Sequence, residues 1–177
     1  MQLKPLLFAS LFAYAYTSTV PDILHDLAAL KRNLVALDGA INSFPDSGGT
    51  LKEALAINDD STAVKNAIDA TTPDAANVDT PISVDAANEV LAAVRDLQAN
   101  INSTLTDIVA KKPAFDALPA GGVSDLVRKD LNDLNASNTA LGDALIEITP
   151  SEVLDEVQKT RNEIGAAFAD AITEYAD

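Results

Sequence analysis

Val84–Lys112, VDAANEVLAAVRDLQANINSTLTDIVAKK, decides the fold. Ala87, Val90, Val94, Leu97, Ile101, Leu105 and Ile108 recur at intervals of three or four residues, so on a helix they share a band well under half the circumference. Arg95, Asp96, Gln98, Asn100, Asn102 and Asp107 fill the opposite face. At about 1.5 Å per residue such a helix is about 40 Å long. Water penalises its apolar seam along that whole length, so the rest of the chain, a lipid or an apolar surface must cover it.

Working outward, four more segments carry the same pattern. Pro21 and Asp22 open a helix whose stripe is Ile23, Leu27, Leu30, Leu34, Leu37, Ile41 and Phe44, until Pro45 and Gly48-Gly49 break it. Thr50 caps the next helix, with Glu53 in reciprocal position. Its inner face of Ala54, Ile57, Ser61, Val64 and Ile68 is the weakest of the set, which makes it the helix expected to move. From Thr72 and Pro73 to Pro81 the residues read as a loop.

Ser83 caps the central helix and Pro113 ends or kinks it, with Phe115 close to the same stripe if helical register continues. After the break at Pro119 to Gly122, Ser124 and Asp125 start a fourth helix with Val127, Leu131, Leu134, Asn138, Leu141, Leu145 and Ile148 inward. Asn138 is the polar residue in that stripe. It fixes register through a buried hydrogen bond, touches a bound polar head, or lies at the stripe edge. Pro150 in the first turn, Ser151 and Glu152 start the last helix, whose inner face is Val153, Val157, Thr160, Ile164, Phe168, Ala171 and Tyr175. Arg161 sits at the edge of that face, its stem over apolar atoms and its guanidinium toward water or a ligand carboxylate. The expected fold is all-α: a single five-helix bundle of antiparallel amphipathic helices spanning residues 20–177.

Residues 1–15 read as a signal peptide. Lys4 is a short basic start, Leu6 to Ala15 is an apolar run too short to span a bilayer, and Ala13-Tyr14-Ala15 fits a cleavage site, with cleavage as late as Thr19 also compatible. This expectation places the protein outside the cell. With no apolar tail before Asp177, neither a lipid anchor nor a transmembrane segment is expected.

Composition narrows the function classes. The net charge of −15 becomes −16 if Met1 to Ala15, which carries only Lys4, is removed, and such acidity disfavours nucleic acid and anionic membranes. Cysteine is absent, which excludes disulfides and thiolate zinc sites. The single histidine, His25, faces away from the stripe of its helix, and no Gly-x-Ser-x-Gly elbow or phosphate-cradling glycine loop is present. Asp59-Asp60 and Asp130 with Asp133 are not spaced as a calcium loop and read as solvated faces. No enzyme, cofactor or metal site is expected. Asn102-Ser103-Thr104 and Asn135-Ala136-Ser137 are glycosylation sequons beside the seam residues Ile101 and Leu134.

Particular residues resemble a known family. Ala36-Leu37-Asp38-Gly39-Ala40-Ile41-Asn42-Ser43-Phe44 with Gly48-Gly49 is similar to the first helix and turn of the fungal hydrophobic surface-binding protein A family. Ile108-Val109-Ala110-Lys111-Lys112-Pro113-Ala114-Phe115, Leu131 to Ile148 and Ile172-Thr173-Glu174-Tyr175 follow its pattern too. The resemblance implies a secreted all-helical protein that adsorbs to hydrophobic surfaces and recruits polyester-degrading hydrolases there. Related cell-wall mannoproteins bind fatty acids inside a helical bundle. The missing Ser/Thr-rich tail and anchor signal favour a freely secreted form over wall attachment.

Three readings stay open. In a surface adsorber the helices swing apart at the loops and lay their inner faces on an apolar surface. In a closed lipid carrier an acyl chain fills a cavity walled by Leu34, Leu37, Ile41, Leu97, Ile101, Leu105, Leu134, Leu141, Ile164 and Phe168, with Ile57 and Val64 of the second helix added for either mode of binding. In the third the seams pack fully on themselves and the partner is a protein. A filled interior favours adsorption or a protein partner, and a continuous cavity favours the carrier.

Overall fold

The computed structural model describes residues 17–119 and 121–176. The signal-peptide reading of Met1 to Ala15 lies outside the described residues. Six helices follow in order: α1 Val20–Ser43, α2 Leu51–Ala76, α3 Val84–Ala110, α4 Lys112–Asp116, α5 Val123–Ile148 and α6 Ser151–Glu174.

The expected caps form. Thr50 and Glu53 bond reciprocally at the start of α2, and Ser83 Oγ accepts from the Ala86 N–H at 3.2 Å on α3; on α1 the sequence reading did not include Thr19, whose backbone and hydroxyl both donate to Asp22. Pro150 immediately precedes the first turn of α6 instead of sitting in it.

Two further sequence expectations need correction. Among the described residues the helix count is six, because Pro113 has no N–H and its ring would clash with the Val109 carbonyl, so α3 ends at Ala110 and the chain restarts as α4. That restart buries Phe115, whose ring lies 4.7 Å from that of Phe44. The second correction is α2, which runs through Pro73 to Ala76 where a loop was expected. Pro73 removes the bond to the carbonyl of Asp69, an exposed residue that water can serve. Ala75, fully buried, and the Ser18 hydroxyl donating to Asp74 at 2.7 Å hold the last turn in place.

The long helices form a closed ring in the order α1, α2, α5, α6, α3 and back to α1, each packing mainly on two neighbours. Side-chain pairs fix the directions. Asn33 reaches the Ala63 carbonyl and Ser18 reaches Asp74, so α1 and α2 are antiparallel, and Arg161 with Asp143 joins the antiparallel α5 and α6. Lys31–Asp96 with Thr104–Asp38 make α1 and α3 parallel, and Arg95–Glu156 with Gln98–Glu163 do the same for α3 and α6. Asn58–Asp130 and the contact of Ser137 with Asp69 make α2 and α5 parallel. The expected all-antiparallel bundle is thus corrected. A closed ring of five cannot alternate direction at every step, and short connections enforce antiparallel packing only where consecutive helices are ring neighbours. The links from α2 to α3 and from α3 through α4 to α5 each step over one helix.

The ends of the ring are closed by local chemistry. At one end the Ile82 N–H donates to the Ile148 carbonyl at 3.0 Å. At the other the buried Tyr175 hydroxyl donates to the Ile108 carbonyl at 2.6 Å. There Gly49 lies so close to the Phe44 ring that a Cβ would stand 2.5 Å from it, which gives the Gly48-Gly49 motif a packing reason.

Candidate functional site

The inner faces of the ring do not meet completely. They leave an internal void of about 100 Å³, walled by residues of all five long helices. A single water needs on the order of 10–15 Å³ of such space, so the void has room for a row of heavy atoms. α3 and α5 supply most of the wall and α2 the least, the latter through Ile57, Ser61, Val64 and Ile68. The seven seam residues of Val84–Lys112 all face this void.

Leu34, Leu37, Ile41, Ile57, Val64, Leu97, Ile101, Leu105, Leu134, Leu141, Ile164 and Phe168 are brought to the same wall. The 3.5-residue spacing placed them on inner faces, and the ring turns those faces toward one axis. Two buried hydroxyls there are spoken for, since Thr104 donates to Asp38 at 3.0 Å and Thr160 to the Glu156 carbonyl at 2.9 Å. Apolar atoms therefore dominate the surface of the void, and water gains little by filling it.

Two charged residues line it, Asp130 on α5 and Arg161 on α6. Asp130, read from the sequence as a solvated face, is half-buried between α2 and α5 and accepts from Asn58 Nδ2 at 2.8 Å. Burial holds its carboxyl above the ordinary aspartate value, against the opposing pull of the Asn58 hydrogen bond and Lys129. A signal was present, since Asp130 stands three residues after Val127 and four before Leu134 and so borders their stripe.

Arg161 bonds outward through Nη2 to Asp143 Oδ1 at 2.9 Å and through Nη1 to Asn162 Oδ1 at 3.3 Å. Its Nε is shielded from solvent and has no hydrogen-bond partner. The stem rests against Gly142 of α5, where a Cβ would lie 2.6 Å from Arg161 Cγ. Sequence reasoning placed Arg161 at the stripe edge and missed the glycine that seats it. Leu91, four residues after Ala87, also joins the wall without having been counted in the seam. Asn138 is half-buried and lines the void.

Other candidate positions lie away from the void. Asn102 is exposed on α3, whereas Asn135 is half-buried with its Oδ1 covered and unpartnered. His25 is exposed. Among the described residues no cluster of potential metal ligands occurs, and no helix is long and apolar enough to cross a membrane.

A ring of amphipathic helices around an apolar void defines a helical bundle suited to hydrophobic ligands. Residues 20–147 match the family described as hydrophobic surface binding protein A, and the chain belongs to that family. Among solved structures, AfMp4p in complex with palmitic acid is similar at 32% identity and a TM-score of 0.82, covering 89% of this chain and 100% of that one. Ligand binding domain 1 of the Penicillium marneffei MP1 protein, complexed with arachidonic acids, has 15% identity and a TM-score of 0.76, covering 89% and 96% of the two chains. Domain 2 of the same protein, complexed with multiple arachidonic acids, has 17% identity and a TM-score of 0.74, covering 88% and 93%. At those identities the MP1 domains share the fold alone. No curated protein matches the chain.

Proposed function

We propose that this chain is a secreted, non-enzymatic carrier that holds a single-chain lipid, a fatty acid foremost, along the axis of its helical ring. The observation that carries this reading is the apolar void lined by all five long helices. Filling it with methylenes exchanges empty space for dispersion contacts, and each buried CH₂ contributes about 0.8 kcal/mol. Leu34, Leu37, Ile41, Ile57, Val64, Leu97, Ile101, Leu105, Leu134, Leu141, Ile164 and Phe168 are the proposed contact residues. The palmitic acid complex of AfMp4p supports the ligand class.

Organic extraction of the purified chain followed by mass spectrometry tests the reading. Recovery of fatty acids, and displacement of a fluorescent fatty acid by palmitate, are the expected results. No extractable lipid together with no displacement refutes it.

A second reading is adsorption to hydrophobic surfaces by outward movement of α2, with recruitment of a secreted hydrolase as its consequence. Family membership favours adsorption, and so does one feature of α2. Leu51 and Leu55, each 44% exposed, share a helix face with Asn58, so an apolar strip runs along α2 to its junction with α5. That strip gives a wax or polyester a first foothold on the helix that contributes least to the wall. Replacing both leucines by Asp should weaken adsorption to polyester beads without changing fatty-acid displacement. Adsorption as strong as that of the unaltered chain counts against this reading. Glycosylation at Asn102 and Asn135, and association with the cell wall, remain compatible with either.

A further inference from the structure

We infer that Arg161 selects lipids carrying a free carboxylate, and that Asp143 competes with the ligand for it. This rests on the carrier reading and assigns the head-group position that reading leaves open. An apolar tube by itself favours an alkane or an alcohol over an ionised acid of equal length, because burying a carboxylate without a partner is costly, so selection of the acid needs a charged donor in the wall. Arg161 is the one cation among the described residues lining the void.

Its geometry has the marks of a donor in waiting. Nε is buried without a partner, and a buried N–H left unpaired is costly, so a ligand oxygen there relieves a standing penalty. The outer edge of the guanidinium is held by Asp143 Oδ1 at 2.9 Å, a residue whose side chain is 57% exposed. An ion pair reaching this far into solvent is weak, and a carboxylate already delivered by its acyl chain can displace it. A guanidinium presents several N–H groups in a planar fork, which a carboxylate matches with two parallel bonds. Gly142 supplies the room, because any larger residue would push into the arginine stem. Asn138, one turn before Gly142 on the same side of α5, brings an amide to the same part of the wall. The head group then sits at the seam of α5 and α6, with the tail inside.

The test compares palmitate with hexadecanol, equal in chain length but uncharged, by competition against Nile red on the delipidated full chain at neutral pH. The unaltered chain should prefer palmitate at least tenfold. Arg161→Gln should lose that preference, its palmitate affinity falling far more than its hexadecanol affinity, with the helical circular-dichroism spectrum of the unaltered chain retained. Arg161→Lys should restore part of it, and Asp143→Asn should raise palmitate affinity by freeing the guanidinium. A purely structural Arg161 would instead affect both lipids alike. An undiminished preference for palmitate in Arg161→Gln would overturn the assignment. Binding of neither lipid by the unaltered chain would overturn the carrier reading and this assignment together.

Discussion

Asn58 on α2 donates to Asp130 on α5 at 2.8 Å, so a half-buried carboxylate in the wall of an apolar void is tied to the helix with the smallest share of that wall. The tie is a compromise. The hydrogen bond favours the ionised carboxylate, but burial opposes ionisation more strongly and leaves the group above the ordinary value of 3.8.

The sign of its contribution to stability follows from linkage. Ionising Asp130 costs more in the folded than in the unfolded chain. The resulting penalty is fully present above the folded pKa and disappears as pH falls through it toward 3.8. Asp130→Asn removes the charge and keeps an oxygen to accept from Asn58. The variant should therefore melt at a higher temperature than the unaltered chain at pH 7, with the gap shrinking as pH approaches 4. Thermal melts by circular dichroism across that range check it, and a gap that widens on acidification contradicts the stated cause.

The same junction separates the two modes of lipid contact. Since the chain has no cysteine, Asn58→Cys with Asp130→Cys introduces a unique pair of thiols close enough for a short thiol crosslinker to pin α2 on α5. If α2 must swing out to meet a surface, the pinned protein should adsorb to wax or polyester several-fold less than the same variant left uncrosslinked. Fatty-acid binding at equilibrium should change little, because the tube itself is intact. Equal adsorption by the pinned and free forms would refute the opening of α2.

The limits of the sequence lie where spacing stops carrying information. Helical periodicity reports which side of Val84–Lys112 is apolar, and all seven seam residues line one void. Caps at Thr50 and Ser83 were equally plain, because capping is a local exchange of hydrogen bonds. Periodicity is silent about which stripes become neighbours, and three parallel contacts therefore replaced the expected antiparallel ones. Pro73 departs from its local reading for a related reason, since water can serve the carbonyl of exposed Asp69 and the packing of Ala75 with the Ser18–Asp74 bond outweighs the cost of a proline in the last turns. Asp130 was discounted because a charge is usually solvated, and only the approach of α2 buries it. Gly142 carried no signal at all: its meaning depends on Arg161, nineteen residues later and on another helix.

Helical glycines also give a controlled comparison. A Cβ at Gly39 on the exposed side of α1 would meet nothing within 4 Å, so Gly39→Ala should stabilise the chain by about 0.5–1 kcal/mol through reduced backbone entropy in the unfolded state. Gly142→Ala has the same backbone benefit but places its Cβ 2.6 Å from Arg161 Cγ, so the arginine stem has to move. Its expected result is little or no net gain in stability and a weakened preference for palmitate over hexadecanol, whereas Gly39→Ala leaves the preference unchanged. Denaturant unfolding with the two-lipid competition measures both, and equal gains with equal lipid preference would show that the notch at Gly142 has no role.

Tyr175 closes the end of the ring at which α3 gives way to α4, and its hydroxyl spans from the end of α6 to the carbonyl of Ile108 at 2.6 Å. Ile108 also accepts from the Lys111 N–H at 3.2 Å, so deleting the hydroxyl does not strand a buried acceptor. Tyr175→Phe should accordingly cost about 1 kcal/mol, the net worth of an ordinary hydrogen bond, and lower the melting temperature by roughly 2–4 °C for a domain of this size. Burial, and secondarily the charge of Asp116, raise the phenol above its usual value of 10.0. The stability this contributes is whole below pH 10 and is lost as pH rises through the folded value, because the unfolded tyrosine ionises first. The difference between the unaltered chain and Tyr175→Phe should thus be constant from pH 7 to pH 9 and shrink above pH 10. Thermal melts of both chains over that interval decide it, and a difference that grows with alkalinity would mean that the phenol is not shielded at the closed end of the ring.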